Sequence, residues 1–73
     1  MSHYSSRARV LNPELPLNQR ASNARSCANH VASKLGITRI ELFALIQNST
    51  NVDLNKPKNE TELMRAFHYF EQL

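Results

Sequence analysis

The sequence predicts an all-α fold, a small domain of three to four helices. Apolar residues recur at helical spacing in two separate segments, residues 17–35 and residues 63–70. Gly36, the only glycine in the chain, directly follows the first segment, where a helix can end in the left-handed conformation that glycine adopts easily. Thr38 and Asn59 have the side chains that cap helices, and each precedes a glutamate by three residues.

The N-terminal segment is expected to lie outside the helices. Residues 1–9 are polar and basic without helical periodicity, which predicts a flexible arm or, as an alternative, a short strand. Pro13 and Pro16 then interrupt the chain, because proline lacks an amide donor and disfavours helix in the residue before it. We therefore expect a flexible or extended basic N-terminal arm with a proline-containing strap over residues 1–16, and a single helical domain over residues 17–73.

An apolar seam marks the next helical segment. Its members recur at alternating steps of four and three residues: Leu17, Ala21, Ala24, Ala28, Val31 and Leu35. This pattern predicts one helix from about Asn18 to Leu35. A break near Ser22 and Asn23 would give two helices instead, because both side chains compete with the helix for backbone hydrogen bonds. The sequence leaves both alternatives open.

A further helix is predicted from Arg39 to about Asn48. Thr38 and Glu41 have the spacing of a capping box, in which each side chain bonds the backbone amide of the other residue. Most sides of this helix are apolar, with Ile40, Leu42, Phe43, Leu45 and Ile46. Because a helix that is apolar all round is usually buried, a central position or a place in a dimer interface is the alternative to an exposed helix.

The spacing of Ala32, Gly36, Leu42 and Leu45 resembles the helix-turn-helix of phage repressors, over about residues 28–47. This motif needs a small residue where two helices cross, a glycine at the turn, and two apolar residues that face the core. The resemblance implies a dimeric DNA-binding protein whose second helix enters the major groove.

The residues that this helix would present to DNA bases follow from the resemblance. They are Thr38, Arg39, Glu41 and Gln47. Arginine can bind guanine through two hydrogen bonds, and glutamine can pair in the same way with adenine. Ile40 could contact a thymine methyl group.

The same turn, residues 35–42, also resembles that of ribbon-helix-helix repressors. In that family a short basic strand precedes the helices, pairs with the strand of a second copy and reads the major groove. The resemblance implies base contacts from Ser5, Arg7 and Arg9. The two prolines make the link between strand and helix longer here than in the family, so this is the second alternative.

The last helix is predicted from about Glu60 to the C-terminus, after a polar connection over residues 49–58. Asn59 and Glu62 form an N-capping pattern. Leu63, Ala66, Phe67 and Phe70 then form an apolar stripe at helical spacing. These aromatic side chains are expected to complete the core or to contribute to a dimer contact.

Charge is distributed unevenly along a chain whose net charge is +3. Residues 1–39 contain six of the nine lysine and arginine residues and only one acidic residue, Glu14. A basic segment of this kind suits contacts with the phosphates of a polyanion. The predicted phosphate contacts are Arg7, Arg9, Arg20, Arg25 and Lys34.

Other classes of protein fit the sequence poorly. A single cysteine, Cys27, excludes an internal disulfide framework, and Cys27 and His30 lack the further neighbouring ligands that zinc requires. The chain has no glycine-rich phosphate loop, no grouped catalytic residues and no apolar stretch of membrane-spanning length. We therefore expect no enzyme activity, no cofactor, no small-molecule substrate and a cytoplasmic location.

Together these observations predict a dimeric transcriptional regulator, such as a bacterial or phage repressor, that binds double-stranded DNA. The alternative is a small helical protein-binding module of the phage or plasmid inhibitor type. Its binding surface would be the apolar helix after Gly36 and the aromatic C-terminal helix.

Overall fold

A computed structural model describes residues 3–73 of the chain and the side chains of residues 5–73. Within that span the chain forms four α-helices and no strand. The helices are α1 (His3–Val10), α2 (Leu17–Leu35), α3 (Arg39–Thr50) and α4 (Glu60–Glu71). The predicted all-α class is confirmed.

Helix α2 lies at the centre of the domain, because each of the other three helices packs against it. The predicted seam forms its buried face from Ala21 to Val31, where Ala21, Ala24 and Ala28 are at most 3% exposed, but Leu35 at the end of the seam is 42% exposed. Small side chains on this face let neighbouring helices approach closely. Larger side chains from α3, α4 and the loop between them complete the core: Leu42, Ile46, Val52, Leu54, Leu63, Phe67 and Phe70.

Residues 17–35 form one continuous helix, so the alternative of two helices is wrong. Polar side chains at and just after the predicted break bond to the preceding turn of α2. Asn23 donates its side-chain amide to the carbonyl of Gln19, and the Ser26 hydroxyl donates to the carbonyl of Ser22. These bonds leave the backbone ladder intact, because they use carbonyl oxygens that can accept a second hydrogen bond.

In the connection between the two helices, α2 ends and α3 begins at the predicted residues. Gly36 has a φ of 73°, the Gly36 amide donates to the Ser33 carbonyl, and the Ile37 amide donates to the Ala32 carbonyl. This pair of bonds is the Schellman motif, which satisfies the last carbonyls of a helix. Thr38 and Glu41 then form the predicted capping box. The path of the chain into α3 is therefore fixed by local interactions on both sides of Ile37.

Replacing Gly36 with alanine is expected to lower the free energy of unfolding by about 1–2 kcal/mol. An added Cβ would meet no atom within 4 Å, so the cost comes from the left-handed backbone alone. Asparagine tolerates this conformation better than alanine, so Gly36→Asn should cost less. Urea unfolding of the three proteins measures both differences, and equal stability of the alanine and asparagine variants would contradict this explanation.

The N-terminal segment differs from its prediction. Residues 3–10 form helix α1 rather than a flexible or extended arm or a strand, and the strand required by the ribbon-helix-helix alternative is therefore missing. Its residues Ser6 and Val10 lie on one face and are buried, with α1 packed on α2. Because this contact with α2 stabilises α1, the segment forms a helix although its own sequence has no apolar periodicity. Residues 1–2 of the predicted arm lie outside the described residues.

Cys27 is buried in the core face of α2 with 1% of its surface exposed. Burial, with a smaller contribution from the nearby Glu71 carboxylate, raises the pKa of its thiol from the ordinary value of 9.0 to about 11. The folded state therefore holds the thiol proton more tightly than the unfolded chain does. Stability from this group is complete below pH 9 and is lost as the pH rises towards 11.

We accordingly expect the free energy of unfolding to fall by about 2 kcal/mol between pH 9 and pH 11 because of Cys27. The contribution of Cys27 is isolated by comparison with Cys27→Ala, by urea unfolding at each pH. The variant should lose less stability over this interval than the wild-type protein. Parallel pH profiles for the two proteins would contradict the assignment.

Candidate nucleic-acid interface

Helix α3 presents most of its surface to solvent. Its buried residues are Leu42, Ile46 and Thr50, which follow one another at intervals of four residues and form a narrow stripe against the core. Ile40 is 81% exposed and Leu45 is 44% exposed. The alternative that α3 is buried centrally is therefore wrong. Because only this narrow stripe is buried, the exposed face of α3 carries apolar side chains as well as polar ones.

A groove of about 700 Å³ lies between residues 39–47 of α3 and the loop that follows the helix. Helix α3 contributes Arg39, Ile40, Phe43 and Gln47 to its walls, and the loop contributes Asp53 and Asn55. Arg39, Phe43 and Gln47 are spaced four residues apart and so follow the same side of the helix. The groove thus brings two of the predicted base-contacting residues, Arg39 and Gln47, together.

Arg39 is held in place by the aromatic ring next to it. Its guanidinium carbon lies 4.9 Å from the centre of the Phe43 ring, which is a cation–π contact. Phe43 is half-buried against the core and therefore provides a fixed platform. Because the cation stacks on this ring, Arg39 loses less conformational entropy when it binds a ligand than a fully mobile arginine would.

Thr38 and Glu41 have a structural role at the start of α3. The Thr38 hydroxyl accepts a hydrogen bond from the Glu41 amide at 3.1 Å, and the Glu41 carboxylate accepts one from the Thr38 amide at 3.2 Å. Both side chains are exposed, but the capping box already holds their oxygens at the backbone. Of the four residues predicted to contact bases, Arg39 and Gln47 have side chains that the capping box does not use.

The predicted phosphate contact at Arg20 is wrong, because this side chain is buried. Its guanidinium donates to the carbonyl of Val10 at 2.8 Å, to the carboxylate of Glu60 at 2.9 Å and to the sulfur of Met64 at 3.6 Å. Only 5% of the side chain is exposed, whereas Glu60 is 60% exposed. Arg20 thus joins the end of α1 to the start of α4 and cannot reach DNA.

The other basic residues lie at or near the surface. Lys34 and Arg9 are exposed, at the ends of α2 and α1 respectively. Arg7 forms an ion pair with Glu71, with its Nε atom 2.7 Å from the carboxylate, and this pairing raises the pKa of the guanidinium. Arg25 is half-buried and donates to the carbonyls of Leu54 and Asn55.

Sequence reasoning missed the loop residues Asp53 and Asn55. A pattern that could have revealed them is the alternation of Val52 and Leu54, which are both buried, with polar residues that face outwards. The Asp53 carboxylate accepts a hydrogen bond from the Asn55 amide at 2.9 Å, as in an Asx-turn. The loop is therefore a built element of the groove and more than a polar connection.

Comparison of the sequence with protein-family models and with curated proteins, and of the fold with solved structures, found no match. Among the helices of residues 3–73, none combines the length and apolar character needed to cross a membrane. Within the same described part of the chain, histidine, cysteine, aspartate and glutamate side chains nowhere gather in threes as metal ligands would.

Proposed function

We propose that this protein is a small sequence-specific transcriptional regulator that binds double-stranded DNA through α3. The observation that carries the proposal is the exposed side of α3, on which Arg39 is held over Phe43 and shares a groove with Gln47. With 12 residues, α3 is about 18 Å long, and a helix of that kind fits the major groove, which is about 12 Å wide.

Each side chain on this face has a base contact that suits its chemistry. Arg39 would donate two hydrogen bonds to the O6 and N7 atoms of guanine, and Gln47 would pair with the N6 and N7 atoms of adenine. Ile40, which is 81% exposed, would contact the methyl group of thymine. This function gives a role to an exposed apolar side chain that the monomer alone does not use.

Backbone contacts and dimerisation belong to the same proposal. Lys34 and Arg9 are exposed cations that would neutralise phosphates, and the net charge of +3 favours binding to a polyanion. Arg7 would have to exchange its ion pair with Glu71 for a phosphate. A homodimer would present two copies of α3 to half-sites one helical turn apart.

Arg39→Ala is expected to weaken binding to a selected DNA site by about 1–3 kcal/mol, or roughly 5–150-fold. The site would first be selected from a random duplex pool, and affinities would then be measured by fluorescence anisotropy. Discrimination at one guanine position should relax at the same time. Arg65→Ala removes the same charge near the opposite end of α3, where Arg65 donates to the Thr50 carbonyl, and serves as the matched control.

Two results would contradict the proposed function. One is the absence of DNA binding by the wild-type protein even at low salt, when a DNA-binding regulator should show its strongest electrostatic attraction. The other is an equal loss of affinity in Arg39→Ala and Arg65→Ala with unchanged sequence preference, since α3 would then contribute only charge. Light scattering with and without DNA measures the oligomeric state.

A protein-binding module is the second candidate, and the exposure of Ile40 favours it. Its surface would be the α3 groove alone, because Phe67 and Phe70 of the C-terminal helix are fully buried and the Tyr69 hydroxyl bonds the Ser49 hydroxyl. For this function Ile40→Ala should abolish capture of a partner protein while Arg39→Ala preserves it. A loss of sequence-specific DNA affinity in Arg39→Ala supports the regulator instead.

A further inference from the structure

A second groove, of about 290 Å³, lies between the start of α2 and the loop after α3. Asn18 and Arg25 of α2 form one side, and Asn55, Lys56 and Pro57 form the other. Asn55 also lines the groove in front of α3, so the two grooves meet at this residue. A ligand that extends beyond the α3 groove past Asn55 would therefore enter the second groove.

The loop that separates the two grooves is held firmly in place. Val52 and Leu54 are at most 1% exposed and anchor it in the core. Arg25 reaches across from α2, and one of its guanidinium nitrogens donates hydrogen bonds to the carbonyls of Leu54 and Asn55, at 3.2 and 3.3 Å. Lys56 is exposed immediately after these two carbonyls, and its backbone amide donates to the Asp53 carbonyl at 3.0 Å. The backbone that carries the Lys56 side chain is thus preset.

The chemistry of the second groove favours an anion. Beside the apolar residues Leu17, Ala21 and Pro57, its walls contain two cationic side chains, Arg25 and Lys56, and two carboxamides, Asn18 and Asn55, and none of the residues that line it is acidic. Asp53, the nearest acidic residue in sequence, lines the α3 groove instead. There its carboxylate accepts a hydrogen bond from the backbone amide of Asn55. The two grooves therefore differ in chemistry, with the second one suited to a phosphodiester.

We propose that the second groove binds a backbone phosphate of the DNA strand that borders the major groove occupied by α3. Lys56 contacts the phosphate, and Arg25 acts as a positioning residue that holds the loop and adds positive charge. This inference rests on the proposed function. It places the DNA backbone along the loop after α3 and the start of α2, in addition to the exposed cations at the ends of α1 and α2.

The test compares Lys56→Gln with Lys58→Gln. Both lysines are exposed and belong to the same loop, but only Lys56 lines the second groove, so the two variants are matched in charge and location. Binding to the selected duplex and to a scrambled duplex would be measured over a range of salt concentrations. Circular dichroism melting would verify that both variants remain folded.

We expect Lys56→Gln to reduce the magnitude of the logarithmic salt slope by about 0.9, the value for one phosphate contact. Affinity for the selected and the scrambled duplex should fall by the same factor, because a phosphate contact carries no sequence information. Lys58→Gln should leave the slope close to that of the wild-type protein. Arg25→Lys, which keeps the charge but lacks the guanidinium group that donates to both carbonyls, should also weaken binding.

The outcomes separate this inference from the proposed function. If the wild-type protein binds its selected site, and Lys56→Gln and Lys58→Gln have the same salt slope as each other, the second groove is not a phosphate site and the proposed function stands. If Lys56→Gln changes the preference between the two duplexes, the residue contacts bases and the inference is wrong. Absence of any DNA binding by the wild-type protein overturns both proposals.

Discussion

Phe67→Ala is expected to lower the free energy of unfolding by about 3–5 kcal/mol. The Phe67 side chain is fully buried, and its ring contacts that of Phe70 edge to face, with the ring centres 5.3 Å apart. Alanine would leave a cavity between the helices and remove this aromatic contact. For a domain of 73 residues, whose total stability is about 4–11 kcal/mol, the loss is large enough to populate the unfolded state.

Urea unfolding followed by circular dichroism measures this effect. Phe67→Leu keeps more of the buried volume and should lose less stability than the alanine variant. Thr61→Ala is the control within α4, because Thr61 is exposed and its replacement should change stability by no more than about 0.5 kcal/mol. A loss below about 1 kcal/mol in Phe67→Ala would contradict the burial of this ring between the helices.

Arg20→Ala is expected to destabilise the fold by about 3–5 kcal/mol, although arginine is usually a surface residue. One part, about 1–3 kcal/mol, comes from the Val10 carbonyl, which would lose its donor in a buried position. Another part, about 2 kcal/mol, comes from the aliphatic stem of Arg20, whose methylene groups are buried. The ion pair with Glu60 adds little, because that carboxylate is largely exposed.

A series of variants separates these contributions. Arg20→Met keeps an apolar stem and should recover part of the stability lost in Arg20→Ala. Glu60→Gln removes the charge of the partner and should cost no more than about 1 kcal/mol. Hydrogen exchange should report faster opening of α1 in Arg20→Ala, since Arg20 bonds the carbonyl at the end of this helix. Equal losses in Arg20→Ala and Glu60→Gln would instead mean that the ion pair dominates.

The candidate site was predictable only in part. Arg39 and Gln47 follow from their positions on a helix whose start is fixed by a capping box, so local sequence was enough to place them. The roles of Thr38 and Glu41 were ambiguous, because the capping pattern that locates the helix also holds their side chains. Asn55 and Lys56 required the path of the loop, which depends on the burial of Leu54.

Charge alone could not distinguish a surface arginine from a core arginine. Arg20 and Arg39 have the same side chain, yet one is buried against Val10 and the other is exposed over Phe43. The partners of Arg20 lie 10 and 40 residues away in sequence, at Val10 and Glu60. The sequence pattern of α2 therefore does not reveal contacts with residues so far away along the chain.

By itself the sequence determined the helical class and those helix ends that are set by hydrogen bonds between neighbouring residues. Helix α2 ends at Gly36, and α3 begins at the capping box of Thr38 and Glu41. Asn59 caps α4, because its side chain accepts a hydrogen bond from the backbone amide of Glu62. These bounds are encoded locally because the bonds that set them join residues within five positions of each other. The apolar seam of α2 likewise follows from helical periodicity.

Tertiary structure decided the remaining features. Helix α1 forms where the sequence has no apolar periodicity, since its stability comes from packing on α2 and from the bond between Arg20 and Val10. Helix α3 is exposed despite its apolar composition, because Leu42 and Ile46 suffice to attach it to a small core. Both outcomes depend on contacts between distant parts of the chain, and only the folded arrangement brings those parts together.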